Sequence, residues 1–117
     1  MVFTPQLAPM SRGILTCAYT VPKAGTTAEA CRDAARTAYS GGLVSVLDAG
    51  RLPDTLWVRG SARAHVAYAL DERTGTMISM CAIDNLARGA SAQAVQALNV
   101  ALEWPDALGL PEVGGFP

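Results

Sequence analysis

The 117-residue sequence contains few charged residues. Only 16% of it is Asp, Glu, Lys or Arg, and ten acidic residues against nine basic ones leave a formal charge of −1. No basic cluster is present, which argues against nucleic acid and anionic membranes as partners. Half of the residues are apolar, so a single domain of this length can build a hydrophobic core. Because few charges solvate the surface, we expect another chain or domain to cover part of it.

Membrane-spanning and secretory segments are also missing. No apolar run approaches the roughly 20 residues of a membrane helix. The N-terminal stretch, MVFTPQLAPMSRG, lacks the basic start and apolar centre of a signal peptide. The three cysteines, Cys17, Cys31 and Cys81, form no Cys-x-x-Cys pair. We therefore predict a cytoplasmic, reduced protein without a metal site.

Most of the apolar runs have the character of strands. GILTCAYTV, at 13–21, is rich in β-branched and aromatic residues and is followed by proline. LVSVL and LWVRGS each predict a further short strand. Residues 64–83 predict two strands joined by a turn at 72–75.

Two helices complete the predicted domain. Alanines at helical spacing predict a first helix that Thr26 or Thr27 caps and that ends at Gly41 and Gly42. A last helix is predicted from about Asn85 to Glu103, since the Trp-Pro pair that follows ends it. The whole chain, 1–117, is thus predicted to be one α+β domain. Its mainly antiparallel, mixed sheet of about five strands carries two helices on one face.

Two polar residues, Asp84 and Asn85, stand together where the last strand meets the last helix. Both suit a helix N-cap, but one cap needs only one of them. The residues that follow have small side chains, and Gly89 costs roughly 1 kcal/mol of helix stability relative to Ala. Such a surface predicts that a helix, a subunit or a flat ligand approaches the backbone closely.

Two longer motifs resemble signatures of one enzyme family. FTPQLAPMSRGIL at 3–15 and AIDNLARGASAQAVQALN at 82–99 resemble motifs of N-acetyl-γ-glutamyl-phosphate reductase, an oxidoreductase of arginine biosynthesis. LPDTLWVRGS occupies the expected place between them, and GLPEVGGFP resembles the C-terminal end. The resemblance covers essentially the whole chain. It implies the C-terminal substrate-binding and dimerisation part of an NADPH-dependent enzyme that converts an acyl phosphate to a semialdehyde.

The resemblance also implies roles for three residues. It implies that Asn85 holds the nicotinamide carboxamide of NADPH, while Asp84 orients the turn. Arg12 is implied to bind a carboxylate or phosphate of the substrate, with a surface arginine as the alternative. NADP is expected only where a Rossmann domain is supplied elsewhere, and not on the isolated chain, which has no Gly-x-Gly-x-x-Gly loop.

The family's reacting groups have no counterpart in this sequence. Neither its Gly-Cys-Tyr nucleophile motif nor its His-Arg-His motif is present, and the single histidine, His65, lies in an alternating run typical of a core or interface. We therefore assign no catalytic residue and expect the isolated chain to be inactive. The expected partners are a missing N-terminal catalytic domain or chain and a second copy in a homo-oligomer. A non-catalytic interaction module and the aminoadipyl-phosphate reductase of lysine synthesis stay open as alternatives.

Overall fold

The computed structural model describes residues 2–40 and 42–114. The predicted helix stop at Gly41 and the last three residues of GLPEVGGFP lie outside the described residues. The elements are, in chain order, β1 (Ile14–Thr20), α1 (Ala28–Ala38), β2 (Val44–Val46), α2 (Thr55–Val58), β3 (Ala64–Asp71), β4 (Thr76–Ile83), a π-helical segment (Ala87–Ser91) and α3 (Ala92–Ala101).

The strands form one mixed sheet in the order β1-β4-β3-β2. β4 pairs antiparallel with both β1 and β3, while β2 pairs parallel with β3. The predicted α+β class and the hairpin of β3 and β4 are confirmed. The described residues contain four strands rather than five, and three α-helices rather than two.

The missing fifth strand is the segment LWVRGS, which was predicted wrongly. Thr55–Val58 forms helix α2 instead. Asp54 caps this helix, because its Oδ1 accepts a hydrogen bond from the N–H of Leu56 at 2.8 Å. A short apolar run has the same composition in a buried strand and in a buried helical turn, so the cap decides between them.

The last helix is shorter than predicted at both ends. A π-helical segment precedes it, and it ends at Ala101 rather than Glu103. Glu103 takes a left-handed conformation with φ of 56°. The N–H of Trp104 then bonds to the carbonyl oxygen of Asn99 at 2.9 Å, and that of Glu103 bonds to Val100 at 3.1 Å. This pair of bonds is a Schellman C-cap, which ends the helix before the proline is reached.

Helix α1 begins where its sequence predicts, but it does not pack as the alanine spacing predicts. Arg32, which that spacing puts on the polar side, is buried with Ala35, while Ala30, Ala34 and Ala38 are exposed. Thr27 caps the helix by accepting a hydrogen bond from the N–H of Ala30 at 3.1 Å. Arg32 is buried against the sheet, where its Nη1 donates to the carbonyl oxygen of Tyr68 at 3.3 Å, and its other end pairs with Glu29. The buried guanidinium is thus satisfied at both ends.

The two faces of the sheet are covered unequally. Side chains alternate between the faces, and Tyr68 faces α1: its burial, together with the neighbouring Tyr39 and Cys31, raises the pKa of its hydroxyl. The opposite face is contacted at one end by α2, where the rings of Trp57 and His65 lie 6.3 Å apart. Helix α1 therefore lies on the Tyr68 side, and α2 reaches only one end of the opposite face.

The rest of the second face, called the open face below, carries few charges. By strand register it consists of Leu15, Cys17, Tyr19, Ala67, Ala69, Ile78 and Met80. Every residue of β1 is exposed, with Leu15 at 52% and Tyr19 at 68%. Across the described ranges, no helix has the length and apolarity needed to cross a membrane.

A small core joins the start of α3 to the C-terminal segment. Leu43, Ala62 and Ala92 are buried together, and Ala107 and Leu110 pack against them. The buried amide of Asn99 holds the same segment, since its Nδ2 donates to the carbonyl oxygens of Asp106 and Leu108 at 3.1 and 3.0 Å. The chain after α3 is therefore folded back onto the domain.

Candidate functional site

The site is centred on Asp84, a fully buried carboxylate at the end of β4. Its Oδ1 accepts hydrogen bonds from the N–H groups of Leu86 and Ala87 at 2.9 and 2.8 Å. Its Oδ2 accepts one from the N–H of Gly60 at 2.7 Å. Gly60 has a φ of 74°, a conformation that glycine adopts at little cost. Asp84 therefore ties the start of the π-helical segment to a loop on another part of the chain.

The guanidinium of Arg12 completes the coordination of Asp84. Its Nη2 donates to Oδ1 at 2.8 Å, and its Nε lies 2.7 Å from Oδ2 without a hydrogen bond to any described residue. The two groups therefore form a close ion pair with one charge-assisted hydrogen bond. Burial raises the pKa of Asp84, but the bonds from Arg12, Gly60, Ala87 and Leu86 outweigh burial. They hold the pKa well below its ordinary value of 3.8. The bond to Asp84 likewise raises the pKa of Arg12.

Asn85 has a separate partner. Its Oδ1 accepts a hydrogen bond from the N–H of Gly13 at 2.7 Å, so the side chain is anchored to the N-terminal segment and not to the helix that follows. Asp84 provides the helix cap. The Nδ2 group of Asn85 forms no hydrogen bond with any described residue. Asn85 is also one of the residues that line a cavity. The amide is therefore held by its oxygen, and its NH₂ group is not used by these contacts.

Gly13 fits this place because a side chain would not. Its φ is 121°, and a Cβ atom would lie 2.8 Å from Cβ of Thr55. The segment that carries Arg12 therefore packs directly on the start of α2. This close packing brings the N-terminal segment, α2 and the end of β4 together at one place.

The cavity beside Asn85 has a volume of about 840 Å³, within the usual range for small-molecule sites. Apolar side chains form much of its wall: Leu7, Met10, Ile14, Leu15, Leu52, Pro53 and Trp57. Polar groups enter from Arg12, Asp54 and Asn85. Arg51 lies over the ring of Trp57, with its Cζ 5.7 Å from the ring centroid. An apolar cavity with a few convergent polar groups is suited to a small organic ligand.

The structure brings the three residues singled out from the sequence to one place, although Arg12 and Asp84 are 72 positions apart. Sequence reasoning missed the backbone donors at Gly13 and Gly60 and the cavity wall at 52–57. No residue type marks a backbone donor, so the sequence carried no signal that could have identified these two. No metal-binding cluster of His, Cys, Asp or Glu is found in the part of the chain that the structure describes.

The cysteines and the histidine lie elsewhere: Cys17, Cys81 and His65 on the sheet, and Cys31 in α1. Cys81 pairs with Val66, so it faces the side opposite to His65. Burial raises the pKa of the Cys81 thiol, which disfavours the thiolate that acts as a nucleophile. Burial lowers the pKa of His65, as do the neighbouring Arg63 and Arg51. Cys81 and His65 therefore do not form a nucleophile–base pair.

Comparison with known proteins gives two results. The family model of the semialdehyde dehydrogenase dimerisation domain matches residues 1–85. N-acetyl-γ-glutamyl-phosphate reductase of Pseudarthrobacter chlorophenolicus is 47% identical over 98% of the chain. That of Pelobacter propionicus is 43% identical over all of it, and that of Corynebacterium glutamicum 43% over 98%. The chain spans 34%, 34% and 33% of these relatives' lengths, about a third of each.

Proposed function

The chain belongs to the semialdehyde dehydrogenase dimerisation domain family, and from this premise we propose that it is the C-terminal substrate-binding and oligomerisation part of an N-acetyl-γ-glutamyl-phosphate reductase. The observation that carries the proposal is similarity to such reductases over nearly the whole chain. NADPH supplies the hydride for the reductive dephosphorylation. The nucleophile, the base and the dinucleotide loop belong to the remaining two thirds of the enzyme, so the isolated chain has no activity.

The anchoring of Asn85 supports its proposed contact with the nicotinamide. Because the N–H of Gly13 holds Oδ1, Nδ2 is the group left to donate, and the carboxamide oxygen of a nicotinamide accepts such a bond. Asp84 has both oxygens engaged and is fully buried. Its role in this proposal is to position the turn that carries Asn85, without touching the cofactor.

Arg12 is proposed to bind the substrate while it holds Asp84. Its side chain remains 28% exposed at the ion pair, and it lines the cavity. Its Nε and Nη2 face Asp84, which leaves Nη1 for a carboxylate or phosphate oxygen. A guanidinium suits this double use because its donors form a rigid, planar fork.

A hybrid enzyme tests the proposal. In the Pseudarthrobacter relative, the matching third is replaced by this chain, and NADPH-dependent reduction of N-acetyl-γ-glutamyl phosphate is measured. We expect turnover from the hybrid and none from the isolated chain. A folded hybrid without turnover contradicts the enzymatic role and favours a non-catalytic assembly module. A hybrid that prefers the aminoadipyl analogue assigns the chain to the lysine-pathway enzyme.

Asn85→Asp in this hybrid tests the residue itself. The new carboxylate still accepts the N–H of Gly13, so folding is preserved, but the donor toward the cofactor is replaced by a negative charge. We expect kcat/KM to fall roughly five- to 150-fold, the equivalent of an unmatched polar contact. Gln93→Glu, the same chemical change on an exposed position of α3, is the matched control. Full activity in Asn85→Asp shows that Asn85 only anchors Gly13.

Homo-oligomerisation is proposed to use the open face. That face is apolar, and its β1 residues are exposed, as expected for a surface that a second copy covers. Tyr19→Glu places a charge on it, and we expect this variant to sediment as a monomer where the wild-type chain self-associates. Thr16→Glu puts the same charge on the opposite side of β1 and should leave self-association intact. Equal behaviour of the two variants contradicts this interface and favours the small-residue helix.

The proposed location is the cytoplasm. All three cysteines are free, and free thiols are typical of a reducing compartment.

A further inference from the structure

The C-terminal segment 111–114, called the tail below, runs beside the loop 59–63. The carbonyl oxygen of Pro111 accepts a hydrogen bond from the N–H of Ala62 at 2.7 Å. Ala62 is fully buried, so this bond lies within the domain and not at its surface. The tail is therefore attached to the loop by its backbone.

Arg63 of the loop forms further hydrogen bonds to the tail. The Nε of Arg63 donates to the carbonyl oxygen of Glu112 at 2.7 Å, and its Nη2 donates to Oε2 of the same residue at 2.9 Å. One guanidinium thus binds both the backbone and the side chain of Glu112. Because the two bonds share one rigid plane, they orient the tail as well as hold it.

Gly114 packs against the peptide unit that joins Arg59 and Gly60. A Cβ atom at Gly114 would overlap the carbonyl oxygen of Arg59. That oxygen and the N–H of Gly60 belong to the same planar peptide unit. The N–H points at Oδ2 of Asp84, at 2.7 Å. The tail therefore contacts the carbonyl oxygen of this peptide unit, and the N–H of the same unit binds Asp84.

We propose that the tail is a positioning element for the Asp84–Asn85 turn, with Arg63, Glu112 and Gly114 as positioning residues. Arg63 and Glu112 hold the tail in place, and Gly114 allows it to lie against the Arg59–Gly60 peptide. The peptide in turn fixes Asp84, which sets the turn from which Asn85 faces the cavity. The kinetic consequence rests on the proposed function, whereas the structural coupling from tail to Gly60 does not.

The coupling is measured on the isolated chain by amide hydrogen exchange. Gly114→Ala pushes the tail and the peptide apart, and Arg63→Met removes both bonds to Glu112. In each variant we expect the Gly60 amide to exchange roughly two- to tenfold faster, as for the loss of one hydrogen bond. The side-chain amide signal of Asn85 is expected to shift as well. The controls are Val113→Ala, at a residue that is 84% exposed, and Arg73→Met, whose side chain is 84% exposed. We expect both controls to leave the Gly60 exchange rate and the Asn85 signal unchanged.

The consequence is measured in the hybrid enzyme. We expect Gly114→Ala and Arg63→Met to lower kcat/KM for NADPH severalfold, while both controls keep the wild-type value. If the Gly60 amide exchanges at the wild-type rate in the folded variants, the proposed coupling is wrong. If Gly114→Ala does not fold, the exchange rate in Arg63→Met alone tests the coupling. Faster exchange with unaltered kinetics shows that the tail is merely structural and overturns the positioning role. An inactive wild-type hybrid refutes the proposed function, and Gly60 exchange still decides the coupling.

Discussion

Replacing Asp84 by Asn changes one buried oxygen into an NH₂ group and removes the charge. The amide can keep one oxygen toward Leu86 and Ala87, but its NH₂ group then faces the N–H of Gly60, which loses the one acceptor it has among the described residues. A buried, unsatisfied N–H costs about 1–3 kcal/mol, and bonds to a neutral oxygen are weaker than those to a carboxylate by roughly 1 kcal/mol each. We therefore expect Asp84→Asn to lower the free energy of unfolding by about 3–5 kcal/mol, a large share of the roughly 5–15 kcal/mol typical of a domain.

Urea denaturation at neutral pH measures this loss. Asp54→Asn is the matched control, because Asp54 is an exposed N-cap with one backbone partner and Asn caps a helix about as well as Asp. We expect the control to unfold at nearly the wild-type urea concentration. A loss below about 1 kcal/mol in Asp84→Asn would show that water or a rearranged loop replaces these bonds. The description of Asp84 as the organising residue would then be wrong.

Two further predictions concern pH and the end of α3. Because the folded pKa of Asp84 lies below its ordinary value of 3.8, its stabilisation is complete above that value and is lost as pH falls through the folded pKa. The difference in urea midpoint between wild type and Asp84→Asn should thus stay constant from pH 7 to about 5 and narrow below about pH 4; a difference as large at pH 2 as at pH 7 contradicts this. Glu103→Gly should raise the melting temperature, since glycine removes the cost of about 1 kcal/mol of a left-handed residue, and an unchanged or lower value contradicts the assigned cap.

The sequence predicts most elements because their signals are local. Thr27 caps α1 as expected, and the hairpin between β3 and β4 follows from two alternating runs around a turn. LWVRGS was predicted wrongly because its three apolar positions are compatible with both a strand and a helical turn. Asp54, which decides for the helix, stands just before the run, so the deciding signal was present but outside the segment that was interpreted.

The candidate site was predictable only in part. Local reasoning finds Asp84 and Asn85 as possible caps, but it does not tell which one caps the helix. The choice depends on burial and on Gly60 and Gly13, whose N–H groups come from distant parts of the chain. Backbone donors carry no residue-type signal, so this half of the site could not be identified without the fold. The link to Arg12 came from resemblance between motifs and not from spacing.

The order Asp-Asn at positions 84 and 85 follows from the donors that surround each position. Position 84 is fully buried and meets N–H groups on every side, so a side chain with two acceptor oxygens and no donor satisfies it, and the charge of Arg12 balances its own. Position 85 meets one N–H, from Gly13, and otherwise faces the cavity; an amide satisfies that N–H and still offers a donor.

With the two residues exchanged, an amide donor at 84 would oppose the N–H of Gly60, and Arg12 would lose its buried partner. A carboxylate at 85 would put negative charge into the cavity and remove the donor that the amide offers there. The pair therefore cannot be reversed without loss at both positions, and capping alone, which Asp and Asn perform equally well, does not explain it.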